Sequence, residues 1–215
     1  MIIAIDGSAA SGKGTLAKRI AKHLSLSYLD TGALYRAVGL QLLNAGQDPK
    51  IINEKQCVNL CSELDITLTA SPLIRSEKVA ELASTVAAMP AVRAALLHLQ
   101  REFAAAPPDP NGAILDGRDI GTVVLPDADF KFFIDANIRI RAERRTKELL
   151  QAGQSVIYSQ VLSDLQERDN RDRSRLAAPL RPADDAIIID TSSMGADAVM
   201  NVAMSHIAAR SDLTS

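Results

Sequence analysis

Tryptophan is absent, and aromatic side chains make up only 3% of the 215 residues. That scarcity argues against stacking platforms for single-stranded nucleic acid. A strong charge of either sign is also missing: the net charge is −2 and the pI is about 5.9. A global basic field for nucleic acid is thereby excluded, so phosphate binding has to come from a local cluster of cations. No apolar run approaches the roughly 20 residues that span a bilayer. Residues 1–6 carry no basic segment and no cleavage site, so no secretory signal is expected. Cysteine is scarce as well: Cys57 and Cys61 stand four apart in a helical pattern. One helical turn is poor geometry for a disulfide, and no second Cys pair or His lies nearby for zinc. Two small core residues in a reducing, cytoplasmic location are expected. Nothing in the chain demands more than a monomer.

What is present is ordinary for a globular enzyme: 47% hydrophobic and 23% charged residues. The length allows one sizeable core with a small insert. Short apolar runs at 2–5, 26–29, 113–115, 130–134 and 186–189 read as strands. Helical periodicity fills 13–24, 31–44, 54–63, 76–88, 91–105, 138–151, 156–173 and 195–209, with Asp30 or Thr31 as a cap. Residues 65–69 alternate like a half-exposed strand. Gly46-Gln47-Asp48-Pro49 and Pro107–Gly112 are breaks. Strands alternating with helices imply an α/β fold, a five-stranded parallel sheet covered on both faces in three α/β/α layers. Ligands in such sheets sit beyond the carboxyl ends of the strands. The residues after Ile5, Leu115 and Ile134 are therefore the first suspects.

Gly7-Ser8-Ala9-Ala10-Ser11-Gly12-Lys13-Gly14-Thr15 follows the first strand and opens the first helix. It fits the G-x-x-x-x-G-K core of a P-loop. Glycines let the backbone turn tightly and direct several N–H groups inward, and the helix N-terminus adds a field that favours anions. Lys13 reaches the β- and γ-phosphates as a point charge. Gly14 stands where the general pattern has Ser or Thr, so Thr15, directly or through water, is the expected Mg²⁺ contact. ATP and Mg²⁺ are the expected cofactors.

Nine of the 16 arginines fall between Arg139 and Arg181. Arg168, Arg171 and Arg175 are spaced i, i+3, i+7, so a helix continuing through Arg175 would align them on one face. Asp172 is four residues after Arg168 and could pair with it. Arg141 and Arg145 are one turn apart, with Arg144 beside them. Such crowding is unfavourable unless an anion neutralises it, and phosphoryl transfer supplies that anion. Arg36, Arg93 and Arg118 stand apart; Arg118 comes straight after a core strand. His23, His98 and His206 have no partner motif and read as surface residues.

Several longer segments resemble the bacterial cytidylate kinase family. They are Asp30-Thr31-Gly32-Ala33-Leu34-Tyr35-Arg36, the run from Ser84 to Arg93, the run from Asp116 to Ala128, and Glu167-Arg168-Asp169-Asn170-Arg171-Asp172-Arg173-Ser174-Arg175 with Ala178-Pro179-Leu180. The resemblance spans nearly the whole chain. It implies a single P-loop kinase domain with a core at about 1–45, 111–140 and 176–215, a monophosphate-binding insert at about 46–110, and a lid at about 141–175. It implies ATP-dependent phosphorylation of CMP and of dCMP. Arg36, Arg118 and Arg175, with Thr31 nearby, would hold the acceptor phosphate. Ser84, Arg93 and Asp119 would face the cytosine, and Arg168 and Asp172 the sugar. Lys13, Arg118, Arg144, Arg171 and Arg175 would serve the transfer itself. The stretch 65–79 is shorter than in long family members, leaving one strand at 66–69, and Thr31 replaces a Ser common in relatives. Another small-molecule kinase, for a different nucleotide or shikimate, and a non-catalytic nucleotide switch are the alternatives. The base-reading set argues against the first, and the absence of Asn-Lys-x-Asp against the second.

Overall fold

A computed structural model describes residues 1–47 and 52–211. The expected break at 46–49 lies partly outside them. Two compact units emerge, Met1–Leu29 with Pro107–Ser215, and Asp30–Ala106. The second takes in the helix after Asp30 as well as most of the segment read as an insert.

The first unit is built on five strands in the order β2-β3-β1-β4-β5. They are β1 (Ile2–Gly7), β2 (Ser27–Asp30), β3 (Ala113–Gly117), β4 (Phe130–Asp135) and β5 (Ile187–Asp190). Central β1 pairs in parallel with β3 and with β4, and β4 with β5. Parallel central strands are covered on both faces, so their residues run apolar without alternation. Ile3, Ile5, Ile114, Phe132 and Ile134 are accordingly buried in one core with Leu16, Ile20 and Ile207. Each such side chain contributes about 1.5–3 kcal/mol.

α1 (Lys13–Leu24), α6 (Ile138–Gln151), α7 (Tyr158–Ser174) and α8 (Ala196–Ser211) complete this unit. α6 is capped by Asn137, which accepts from the Arg139 N–H. α7 ends at Ser174, and Arg175 is already extended at φ −62, ψ 140. The helix thus ends close to the expected 173, and Arg175 does not share the helical face of Arg168 and Arg171. The Leu180 N–H donates to the Asp172 carbonyl at 2.7 Å, folding the following segment back against the last turn.

The second unit holds α2 (Thr31–Asn44), α3 (Glu54–Ser62), α4 (Glu77–Val86) and α5 (Pro90–Ala105). Asp30 caps α2 by accepting from the Ala33 N–H at 3.1 Å, and Pro90 opens α5 where its missing N–H costs nothing. Cys57 and Cys61 are free and buried on α3. Burial pushes both thiols up, Cys61 to about 11.

The strand expected at 65–69 is instead a 3₁₀ turn, Ile66–Ala70. Asp65 accepts from both the Thr67 N–H and the Thr67 hydroxyl, and the Thr69 hydroxyl donates to the Ile66 carbonyl. Short polar side chains that bond to the nearby backbone compete with a strand ladder, and among the described residues no strand pairs with this segment.

Candidate active site

The carboxyl end of β1 runs straight into the phosphate-binding sequence. Gly7 is required there: a Cβ would stand 2.0 Å from the Ile134 carbonyl oxygen on β4. Gly12 N-caps α1 at φ 93, and Ala10 also has a left-handed backbone at φ 57. Alternation of this kind presents consecutive N–H groups to one side as an anion nest. Ala10 pays a steric penalty that glycine avoids. Ala10→Gly is expected to raise stability by about 0.5–1 kcal/mol, the relief of strain less the added freedom of the unfolded chain. Urea unfolding measures it, and a lower midpoint would contradict the strain.

Asp116, at the end of β3, was not singled out from the sequence, although the position after Leu115 was. Its carboxylate lies 3.0 Å from where Gly14 would carry a Cβ, and the Tyr28 hydroxyl donates to it at 3.4 Å. A bare Gly14 thus lets a buried carboxylate approach the start of α1 beside Thr15. A carboxylate and a hydroxyl are the hard oxygen donors that suit Mg²⁺. Among the described residues no cluster of three or more His, Cys, Asp or Glu forms a ready-made metal cage; Mg²⁺ in phosphoryl transfer normally needs none.

β1 and β3 are neighbours in register, with Asp6 opposite Gly117. Arg118 and Asp119 therefore emerge beside the P-loop. Asp6 is fully enclosed and accepts from the Ile120 and Gly121 N–H groups at 2.7 and 2.8 Å. These bonds hold the first turn of a short π-helix, Ile120–Val124, which follows Arg118 and Asp119. Burial raises the Asp6 carboxyl to about 7 against the pull of the two N–H groups; Asp119 adds to the rise and Arg118 opposes it.

Arg118 donates through Nε to Asp172 at 2.9 Å and through Nη1 to the Gly117 carbonyl at 3.0 Å. Burial pushes the Asp172 carboxyl up, but Arg118, Arg168 and Arg175 outweigh it and hold the group below the ordinary range. One carboxylate on α7 thus organises three of the expected arginines. Arg175 reaches this cluster from the extended segment after α7: its Nε donates to the Ala178 carbonyl at 2.6 Å, and its Nη2 lies 3.8 Å from Asp119. Arg171 is exposed on α7.

Arg144 donates to the Thr191 hydroxyl at 2.9 Å and to the Thr191 carbonyl. The Thr191 hydroxyl donates to the Ser11 carbonyl at 2.9 Å, tying the turn after β5 to the P-loop. Ser11, Thr15, Arg144, Thr191 and Met194 line a cavity of about 280 Å³ there. Thr191 carried no sequence signal; only the contact with the P-loop reveals it.

In the second unit, Arg36 pairs with Asp30 at 2.6 Å, and Thr31 is buried. Arg93 donates to the Ala87 carbonyl at 3.1 Å and lies over the Tyr35 ring, 5.6 Å from its centre. The Ser84 hydroxyl is buried and has no hydrogen-bond partner among the described residues. His23, His98 and His206 are exposed, and no single described helix is long and apolar enough to cross a membrane.

The family model for cytidylate kinase matches residues 3–209. A cytidylate kinase of Azorhizobium caulinodans is 54% identical over 195 residues, covering 91% of this chain and 92% of its own. One from Paramagnetospirillum magneticum is 50% identical over 210 residues, covering 97% and 98%. Among solved structures, an uncharacterised protein from Eubacterium ventriosum superposes with a TM-score of 0.53 at 14% identity, over 96% of this chain and 98% of that one; that likeness concerns the fold alone.

Proposed function

This chain belongs to the cytidylate kinase family and transfers a phosphoryl group from ATP to CMP, and from that premise we propose which residues do the work. The P-loop backbone from Gly7 to Thr15 holds the donor phosphates, and Lys13 neutralises charge on the group in transfer. The cavity beside Arg144 and Thr191 takes the donor base. Thr15, directly or through water, and Asp116 would hold Mg²⁺, which when bound neutralises phosphate charge. Arg36, Arg118 and Arg175 hold the acceptor phosphate, with Thr31 supporting them. Ser84, Arg93 and Asp119 read the cytosine; Arg168 and Asp172 serve the sugar. Arg144 and Arg171 stabilise the transferring phosphoryl, and residues 141–175 act as a lid that excludes water.

The observation that carries this reading is the register pairing of Asp6 with Gly117. It sets a phosphate cradle and an arginine–aspartate pair at neighbouring strand ends, the natural ligand side of such a sheet. No general base is needed, because the second phosphate pKa is about 6 and the attacking oxygen is largely ionised at neutral pH. Positioning and charge neutralisation then supply the rate. Identity of about 50% over nearly the whole chain favours neither the shikimate-type kinase nor the nucleotide switch.

A cytosine N4 amino group donates to a carboxylate, whereas uracil presents an acceptor at that position. With ATP-Mg²⁺, turnover is expected with CMP and with dCMP, and little with UMP, AMP or GMP. Asp119→Asn, whose amide can also donate, should narrow the CMP-over-UMP ratio in kcat/KM. The expected change is about 1–3 kcal/mol of discrimination, roughly five- to 150-fold. An unchanged ratio would remove Asp119 from the base-reading set.

A further inference from the structure

Arg141 was grouped with the phosphate-facing cations of the lid by its spacing, but the structure puts it to a different use. Its side chain is only 4% exposed, and four of its five N–H donors meet protein acceptors. Nε donates to the Ala136 carbonyl at 2.8 Å. Nη1 donates to the Ala9 carbonyl at 3.2 Å and to Asp169 Oδ1 at 3.2 Å. Nη2 donates to Asp169 Oδ2 at 2.6 Å. One guanidinium thus touches the end of β4, the P-loop and α7. The Ala9 methyl reinforces the link by packing with Ala142, Leu149, Val161 and Leu165 of α6 and α7.

The contact with Ala9 has a consequence for the peptide that follows it. In a trans peptide the carbonyl and the next N–H point in opposite directions. Fixing the Ala9 carbonyl toward Arg141 therefore turns the Ala10 N–H away from α6. Ala10 then takes the left-handed conformation, φ 57, that a nest of N–H groups requires. A non-glycine residue persists in that conformation only when its surroundings over-determine it. Arg141 is the surrounding group with the geometry to do so. Through Asp169 the same guanidinium also fixes α7 one residue from Arg168 and three from Asp172.

We propose that Arg141 is a positioning residue: it holds the Ala9–Ala10 peptide in its anion-accepting orientation and, through the buried pair with Asp169, registers α7 and its arginines against the P-loop. This rests on the reading of the P-loop as the site of the donor phosphates.

The test is steady-state kinetics of Arg141→Lys, alone and in the Ala10→Gly background, with ATP and CMP varied separately. Lysine keeps the charge for Asp169 but has no fork to hold two partners at once. Arg141→Lys is expected to raise the KM for ATP fivefold or more while the KM for CMP stays within twofold. Because glycine enters the left-handed region freely, the increase caused by Arg141→Lys should shrink at least twofold in the Ala10→Gly background. Asp169→Asn, which leaves the Ala9 contact in place, is expected to lower kcat several-fold with little change in the KM for ATP. Should Arg141→Lys not fold, Arg141→Gln with Asp169→Asn buries no charge and is judged by the same criteria. Equal changes in both KM values, or no rescue by Ala10→Gly, would mean that Arg141 serves stability only and would overturn the proposal. Saturation by ATP absent in the wild-type protein would instead overturn the reading of the P-loop.

Discussion

Lys13→Ala is expected to lower turnover of CMP by a hundredfold or more while leaving the unfolding midpoint nearly unchanged. Lys13 is the first residue of α1, next to Gly12 at φ 93, and its side chain is half-buried rather than in the core. Lys13 is not one of the buried core residues, so truncation is expected to cost no more than the loss of one partly exposed polar contact, about 0.5–1 kcal/mol. The catalytic effect is of another order. The transferring phosphoryl carries charge spread over three oxygens, and removing one preorganised donor from such a site typically costs about 10²–10³ in kcat. The neighbouring backbone N–H groups remain, so ATP affinity should fall much less than kcat. Measuring kcat and KM for ATP beside urea unfolding separates these effects. Wild-type turnover in the variant would show that Lys13 has no part in transfer.

The second large effect is on pH dependence. Asp6 rises from 3.8 to about 7 on folding, chiefly through burial. Between those values the unfolded chain has lost the proton and the folded chain keeps it. Stability from this group is therefore full below the ordinary carboxyl range, falls as pH rises toward 7, and is flat above. At 1.36 kcal/mol per unit the whole span amounts to about 4 kcal/mol. The groups facing Asp6 modulate the window: the Ile120 and Gly121 N–H groups and Arg118 lower it, and Asp119 raises it. Lys131 packs beside Gly121, but its ammonium is paired with Asp185. Asp172 has the opposite sign, since its depressed carboxyl gives stability that is lost only as pH falls below the ordinary range. Asp6→Asn cannot titrate. Its amide loses one of the two backbone acceptors, about 1 kcal/mol, so it should be the less stable protein at pH 5. Between pH 5 and 8 the difference from wild type should swing by about 3 kcal/mol in favour of the variant. Urea unfolding of both proteins at the two pH values tests this; a constant gap would mean that Asp6 stays ionised throughout.

Much of this was legible in the sequence because it depends on local signals. Apolar runs ending in Asp-Gly announced β1 and β3, and the P-loop residues follow β1 where a parallel sheet puts ligands. Asp30 and Pro90 punctuated helices as their chemistry requires. Three readings needed contacts that sequence spacing does not contain. Alternation at Ile66–Thr69 satisfies a strand template equally well, yet Asp65 and Thr67 close a local turn first. Arg175 shares a helical spacing with Arg168 and Arg171, but the chain leaves the helix after Ser174 and brings Arg175 to Asp119 by a separate route. Spacing grouped Arg141 with the phosphate-facing cations, whereas Asp169 and Ala9, 28 and 132 residues away, account for its burial. The place of Asp6 after Ile5 was legible but its bonding role was not, and Thr191 gave no signal at all, because their partners, Gly121 and Ser11, come from distant parts of the chain.

The state of the two cysteines gives the protein a practical property. Both are enclosed on α3 with thiols pushed above their usual range, and the thiolate, not the thiol, is the nucleophile. At neutral pH native molecules present almost no sulfur to an alkylating dye. A single cysteine introduced at an exposed position of α7 can therefore be labelled with a fluorophore on the otherwise unaltered chain, and any change in its surroundings during turnover read against a silent background.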